Sequence, residues 1–515
     1  SCLGLIGIES GGGENILDLD ELIGFLEVNS FTLGTAPRAV ASSCLAALET
    51  PVAMRHILGY ELAYFSAINM YHISETALDV FGDKETSDAR RRCQPETDDE
   101  ADLFELHQRV TAVYAVVYGG ILGGAPDCLE TVDPLMTEAH IPLSYILDGR
   151  NTSIETPWGL AKAYVDEVYA YMDANDGWNA DGSLSRDHNR VPFSDYAKTD
   201  SAGNTWTPYI PKNSPYHFSR KKHWQPMMES DGLGYITTQE HVVPHIGATA
   251  RFFGFNSTAD EEAFASRKLS PPKYNSYSQA VDDTLEQSRL MATDDYKQAA
   301  ISFFDDKAMS LIPLKVTFFL RSPPSETRAD FIRATVESQL AIYNSVILSW
   351  KEKVRHDRPR PPTVVGDQLG DTMVEAYDST VDGVETMKAS EWEPFIRTMP
   401  HSEFPSASAC MCQAFAKQLE HFTGSDAIDP ALEFPGADDI VFEFSSWSHI
   451  SSVCGDSRVW GGMHFPEAVP AGADLCGDER FAESISALID RLIDGDETAA
   501  VLKRDPGEIM VRPRL

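Results

Sequence analysis

Apolar side chains recur at steps of three and four along several stretches of the chain. Leu103, Leu106, Val110, Val113 and Val117 form one stripe, and Ile332, Val336, Leu340, Tyr343, Ile347 and Trp350 form another. Cys412, Phe415, Leu419 and Phe422 make a third, closed by Gly424, and Phe481, Ile485, Leu488 and Leu492 a fourth. Such steps put the residues on one helical face, and a glycine after the last of them is a helix stop. The alternation of half-buried strands is scarce, so the predicted fold class is all-α, built from helical bundles. Between about Asn175 and Tyr235 the periodicity fails. That stretch is rich in Gly, Pro, Asn, Asp and aromatics, with Trp178, Trp206 and Trp224 among turn formers. Long irregular segments in compact proteins are usually functional or disordered, and three tryptophans favour an ordered excursion. The expected organisation is an N-terminal helical part (1–170), this aromatic-rich segment (171–245) and a C-terminal helical part (246–515), together one compact unit.

Composition narrows the function classes. In 515 residues, 43% are hydrophobic and 23% charged, an ordinary globular balance. With 42 Lys and Arg against 79 Asp and Glu, the formal charge is −37, which repels phosphate backbones and excludes nucleic acid as the expected partner. The longest apolar run, from Val110 to Pro126, is too short to span a membrane and reads as a buried helix. The chain starts at Ser1 and shows no charged-then-apolar leader, so a targeting peptide is expected to have been removed. Eight cysteines and the acceptor sequons at Asn151 and Asn256 suit a secreted protein.

Three short segments could carry chemistry. Lys351, Lys353, Arg355, His356, Arg358 and Arg360 crowd ten positions of an otherwise acidic chain, at the end of a helix that Pro359, Pro361 and Pro362 stop. One or two cations there would only complement the helix dipole; six suggest a bound anion. Phe404-Pro405-Ser406-Ala407-Ser408-Ala409 leads into the third stripe, so its free amides and hydroxyls could meet an oxyanion or simply cap the helix. Ser457-Arg458-Val-Trp-Gly-Gly-Met-His464 joins an Arg to a His through two glycines. By contrast, Pro244 between His241 and His245 argues against a helical metal pair, and both read as core or loop histidines. Cys410 and Cys412 face different directions on one helix and read as buried free thiols, whereas Cys454 and Cys476 could bridge in an oxidising compartment.

In order and spacing, Lys353 followed by Arg360-Pro361, then Pro405-Ser406-Ala407-Ser408, then Ser457-Arg458 and His464, resemble the three signature segments shared by vanadium-dependent haloperoxidases and the acid phosphatases related to phosphatidic acid phosphatase. Trp350 and the block from Trp224 through His245 resemble the larger haloperoxidase branch. The resemblance implies that Lys353, Arg360, Arg458, Ser406 and the Ala407 amide hold vanadate, with His464 as its apical ligand. It implies halide oxidation by hydrogen peroxide to hypohalous acid, with Lys353 polarising the bound peroxide, no change in the metal's oxidation state, and halogenation of small organic acceptors. It also implies a homo-oligomer, such as a dimer. The forked donors of Arg suit such an oxyanion independently of any resemblance.

Two departures matter. Lys351 with Arg358 has the same spacing as Lys353 with Arg360, and only the position of Trp350 favours the second pair, with Arg358 behind it. Ser408 stands where the family has an acid-base His, and serine cannot titrate near neutrality. His401 and His356 are the candidate replacements. His401 occupies the position where bromoperoxidases of the family carry His and chloroperoxidases an aromatic, which leans towards bromide or iodide over chloride. The alternatives are a phosphatase of the same superfamily with His464 as nucleophile, and an oxyanion-binding relic with weak turnover.

Overall fold

The computed structural model describes residues 49–72, parts of 110–175 and of 209–254, and then 269–273, 277–321, 328–437 and 440–493. Leu103, Leu106, Trp178, Trp206, His245, Asn151 and Asn256 lie outside the described residues. The chain is mostly helical and divides into two compact units. One gathers the described parts of Ser1–Asn175, Phe319–Gln339 and Ser486–Arg504, the other those of Asp176–Phe318 and Leu340–Ile485. No helix among the described residues is long and apolar enough to cross a membrane.

In the first unit α1 (Thr50–His72) packs on α2 (Pro157–Asn175). Gly59 makes the contact possible, because a Cβ there would meet the Tyr169 ring at 2.8 Å. His56 Nδ1 lies 3.1 Å from the Tyr169 hydroxyl. Residues 113–119, the described core of the stripe expected from Val110 onward, are helical and largely buried.

The second unit begins, in its described part, with the aromatic segment and a hairpin, β1 (Met228–Ser230) with β2 (Ile236–Thr238). Then come α3 (Tyr277–Met291), α4 (Asp295–Phe303), α5 (Lys307–Arg321) and α6 (Arg328–His356), the stretch Phe319–Gln339 being counted with the first unit; the α6 stripe from Ile332 to Trp350 is buried throughout. The helix α7 (Pro361–Leu369) is followed by a hairpin of β3 (Met373–Asp378) and β4 (Gly383–Lys388). Next are α8 (Ala407–Thr423), a third hairpin of β5 (Ala427–Pro435) and β6 (Val441–Ser446), and then α9 (Trp447–Trp460), α10 (Ala468–Cys476) and α11 (Glu479–Ile493), which from Ser486 onward is counted with the first unit. The antiparallel hairpins are short additions that the helical periodicity did not predict. α8 is the centre of the unit, packed against α9 and α10.

Two disulfides clamp that centre, and they correct the sequence expectation of free thiols at Cys410 and Cys412 and a bridge between Cys454 and Cys476. Cys410 pairs with Cys476 on α10, and Cys412 with Cys454 on α9, at Cα separations of 5.1 and 6.4 Å. Residues two apart on a helix point roughly 200° apart, so each cysteine meets a different neighbouring helix. The expectation that Cys410 and Cys412 do not bridge each other holds.

Candidate anion site

The site forms where α6 ends and α7 and α8 begin. α6 stops at Asp357, whose φ of 51° is left-handed and whose N–H donates to Lys353 O at 2.8 Å. Aspartate tolerates this conformation better than most residues. Its carboxylate accepts from Tyr209 Oη (2.7 Å) and lies 3.0 Å from His223 Nδ1, which moors the aromatic segment to the end of the helix. Burial pushes the Asp357 carboxyl above its ordinary range. Three residues on, Arg360 caps α7, with Pro361 in the first turn where a missing N–H costs nothing.

Lys353, Arg360, Arg458 and His464, all chosen from the sequence, come together and are each at most 3% exposed. The Arg360 guanidinium donates to His401 O and Met463 O, both at 2.9 Å, to His401 Nδ1 at 2.9 Å and to His464 Nε2 at 3.3 Å. Arg458 donates to Phe304 O at 3.3 Å and to Asp305 Oδ1 at 3.1 Å, while its buried Nε has no partner among the described residues. Of the two pairs with the same spacing, Lys353 and Arg360 are the ones that join the His464 cluster. Lys351 Nζ donates to Ala250 O at 2.9 Å, away from this cluster, and Arg358 contributes its carbonyl, which accepts from Glu403 N.

Lys353 differs from its expected role. All three ammonium protons go to carbonyls, Ser402 O, Glu403 O and Pro405 O, at 2.6 to 2.9 Å. In this arrangement it fixes the loop before α8, and reaching an anion would mean giving up one of those bonds. Ser406 is the N-cap of α8, its hydroxyl accepting from Ala409 N at 3.3 Å. Ala407 and Ser408 follow in the first turn, where helix amides lack intrahelical acceptors. Gly472 of α10 comes so close that a Cβ would sit 2.2 Å from Ser406 O. Ser408 is partly exposed, unlike its neighbours.

Of the two candidate acid-base histidines, only His401 is at the site. Its ring lies 4.8 Å from that of Trp350, and burial together with Arg360 holds it neutral, far below its ordinary pKa. His356 turns to Glu352, 3.2 Å away. His241 is a buried core histidine: it lies 3.1 Å from Val242 O through Nδ1 and accepts from Ser402 N at 3.3 Å through Nε2.

Two residues of the site were not found from the sequence. Glu403, 1% exposed, lies 3.0 Å from His464 Nδ1, and burial raises its carboxyl to about 7 against the pull of Lys353 and Arg360. Lys307, 3% exposed, donates to Phe304 O and Asp305 O beside Arg458. A lysine following Asp305 and Asp306 reads as a surface residue, so no sequence signal marks it. Glu403 had a faint one, being the lone carboxylate in the segment that leads into Pro405-Ser406.

Charge is the outstanding property of the cluster. Lys307, Lys353, Arg360 and Arg458 face a single fully buried carboxylate, Glu403, and the partly exposed Asp305. Burial and then mutual repulsion depress Lys307 and Lys353 well below normal and bring Arg360 down to about 9. Unbalanced buried cations are costly, and an anion among them offsets that cost.

Residues 333–495 match the family described as the VCPO second helical-bundle domain. This chain is built on the vanadium-haloperoxidase fold. It is similar to the holo and apo structures of a bacterial vanadium-dependent chloroperoxidase (TM-scores 0.67 and 0.68, identities 20% and 19%), covering 88% of this chain and 95 to 96% of that one. It is also similar to the first bacterial vanadium-dependent iodoperoxidase (TM-score 0.55, identity 15%), over 92% of this chain and 98% of that one. At these identities the likeness is one of fold. No curated protein sequence matches the chain. Within the vanadium-haloperoxidase fold, the cation cluster lies inside the matched family segment except for Lys307, which precedes it.

The residues present fit vanadate. A tetrahedral oxyanion needs several fixed donors and compensating positive charge, and the site offers two guanidiniums, two ammoniums and the partnerless Arg458 Nε. One imidazole nitrogen, His464 Nε2, stands 3.3 Å from Arg360 Nη1, which can only donate, so its lone pair points at the guanidinium that an anion would draw away.

Proposed function

We propose that the protein is a vanadate-dependent haloperoxidase that oxidises bromide or iodide in preference to chloride, using hydrogen peroxide, and releases hypohalous acid to small organic acceptors. The observation that carries the proposal is the excess of buried cations around the buried His464 ring. His464 would ligate the metal, Arg360, Arg458 and Lys307 would hold the oxygens, and the first amides of α8 would complete the cradle. When bound, vanadate supplies a Lewis acid that activates peroxide towards halide without redox change of the metal. The chain's own part is to hold, orient and neutralise. Arg360 is fixed by two carbonyls and His401, so its remaining donor capacity is aimed before any ligand arrives. Ser408 can donate one hydroxyl proton but cannot titrate near neutrality.

The lean towards bromide or iodide rests on His401, a polar neutral ring against Trp350 at the edge of the cluster. An extracellular, oxidising setting is part of the same proposal, and the two cysteine pairs support it.

The test pairs two assays. Protein incubated with orthovanadate and freed of excess is assayed for peroxide-dependent bromination of a dye, and untreated protein for hydrolysis of an aryl phosphate. Vanadate-dependent bromination that vanishes in His464→Ala establishes the proposal. Phosphate release without bromination moves the assignment to a phosphatase, and silence in both with vanadate bound makes the protein an anion-binding relic.

A further inference from the structure

We propose that Glu403 is the positioning residue that sets the tautomer and ring plane of His464, leaving the lone pair on Nε2, where Arg360 Nη1 donates to it and where an anion would take Arg360's place. The inference relies on the haloperoxidase reading only for the identity of the anion that Nε2 meets.

The tautomer follows from donor and acceptor rules. A guanidinium has no acceptor, so the 3.3 Å approach of Arg360 Nη1 makes His464 Nε2 the accepting nitrogen. In a neutral ring the proton is then on Nδ1, and Nδ1 lies 3.0 Å from Glu403 Oε1. The same oxygen accepts from Phe465 N at 3.2 Å, so one carboxylate orients both the ring and the backbone that follows it.

Glu403 can do this because it is itself immobilised. Its N–H donates to Arg358 O at 2.9 Å, its carbonyl accepts from Lys353 Nζ at 2.9 Å, and its side chain is buried. The two backbone bonds draw on the turn before α7 and the end of α6, and the side chain is held by the His464 loop. A carboxylate behind a ligating imidazole fixes which nitrogen faces the metal and makes that nitrogen more basic, and loss of such a partner typically costs about 10- to 100-fold in metal affinity.

Nitrogen-15 spectra of histidine-labelled, vanadate-free protein, with His464 assigned by its loss in His464→Gln, read the tautomer directly. The expected wild-type signal is a protonated Nδ1 and an unprotonated Nε2; a protonated Nε2 overturns the proposal without any variant. In Glu403→Leu the proton is expected to move to Nε2 or divide between the nitrogens, with orthovanadate affinity by equilibrium dialysis falling beyond 100-fold. Glu403→Gln keeps an acceptor oxygen in nearly the same volume. It is expected to retain the Nδ1 proton while binding orthovanadate about 10- to 100-fold more weakly. An unchanged tautomer and affinity in Glu403→Leu overturns the proposal, as does unchanged affinity in Glu403→Gln if the leucine variant does not fold. Should wild-type protein fail to bind orthovanadate, the haloperoxidase reading falls, and the wild-type tautomer still decides the role of Glu403.

Discussion

Arg360 Nη1 lies 3.3 Å from His464 Nε2 although 104 residues separate them, and the same guanidinium is pinned by His401 O, Met463 O and His401 Nδ1. One side chain thus joins the start of α7 to the His401 loop and the His464 loop. Lysine cannot reproduce that fork. Arg360→Lys is therefore expected to weaken orthovanadate binding, measured by equilibrium dialysis, by about 10- to 100-fold, the worth of one or two charge-assisted hydrogen bonds. Arg358→Lys, two residues away, should weaken binding less, because the contact Arg358 makes with the Glu403 loop is through its carbonyl, which the substitution keeps. Unchanged affinity in Arg360→Lys, which keeps the charge, would show that charge and not the fork matters.

His241 makes stability depend on acidity. Burial holds its folded-state pKa at about 3, far below the unfolded value near 6.5. Between these values the unfolded chain binds the extra proton, so stability present above pH 6.5 is lost as pH falls towards 3, by at most about 1.4 kcal/mol per unit. His241→Gln removes this contribution. Urea unfolding at several pH values should give a shallower slope for the variant; identical slopes would mean that His241 is not held neutral.

The clamp on α8 is testable by connectivity and by stability. Peptide mapping without reductant should recover Cys410 linked to Cys476 and Cys412 linked to Cys454, and no peptide joining Cys454 to Cys476. The sequence separations are 66 and 42 residues, and closing loops of that size restricts the unfolded chain by about 4 kcal/mol each. Cys412→Ser with Cys454→Ser should accordingly lower the unfolding midpoint in urea by a comparable free energy.

Much of this architecture is legible in the sequence, and the exceptions have physical causes. The α6 stripe from Ile332 to Trp350 and the serine cap of α8 follow from local rules, and both are present. The β3–β4 hairpin was illegible because β4 is buried on neither face, so its residues carry no period of two. Phe442 and Phe444 do alternate inward on β6, but two residues are too few to separate a strand from a helix turn. The pairing of the cysteines required knowing that α9 and α10 flank α8. Glu403 and Lys307 take their roles from partners 61 and 151 to 157 positions away in the chain, His464 for one and Arg458 with His464 for the other. Spacing within a motif cannot show that.

Close packing behind the cradle gives a further expectation. Gly472 leaves no room for a side chain, since a Cβ would stand 2.2 Å from Ser406 O, a backbone atom that cannot swing aside. Gly472→Ala should displace the start of α8, costing about 1 to 3 kcal/mol in stability. Orthovanadate affinity should fall with it, while Gly424→Ala, in open space, costs stability only through its left-handed φ of 70° and leaves affinity unchanged. Dialysis and urea unfolding on both variants separate the two effects.

In the proposed haloperoxidase, halide preference is expected to turn on what His401 withholds. Its neutral ring accepts from Arg360 Nη2 at 2.9 Å and so occupies a charged donor at the edge of the pocket. Chloride is the most strongly hydrated of the three halides and gives up the most on leaving water, so it needs the most donors in return. Phenylalanine at this position keeps the contact with Trp350 but accepts nothing, freeing Nη2. In His401→Phe the ratio of kcat/KM for chloride to that for bromide should rise roughly tenfold or more, the worth of one charged hydrogen bond. Steady-state halogenation of a dye at matched peroxide gives that ratio, and a ratio equal to or below the wild-type value would remove His401 from the control of halide choice.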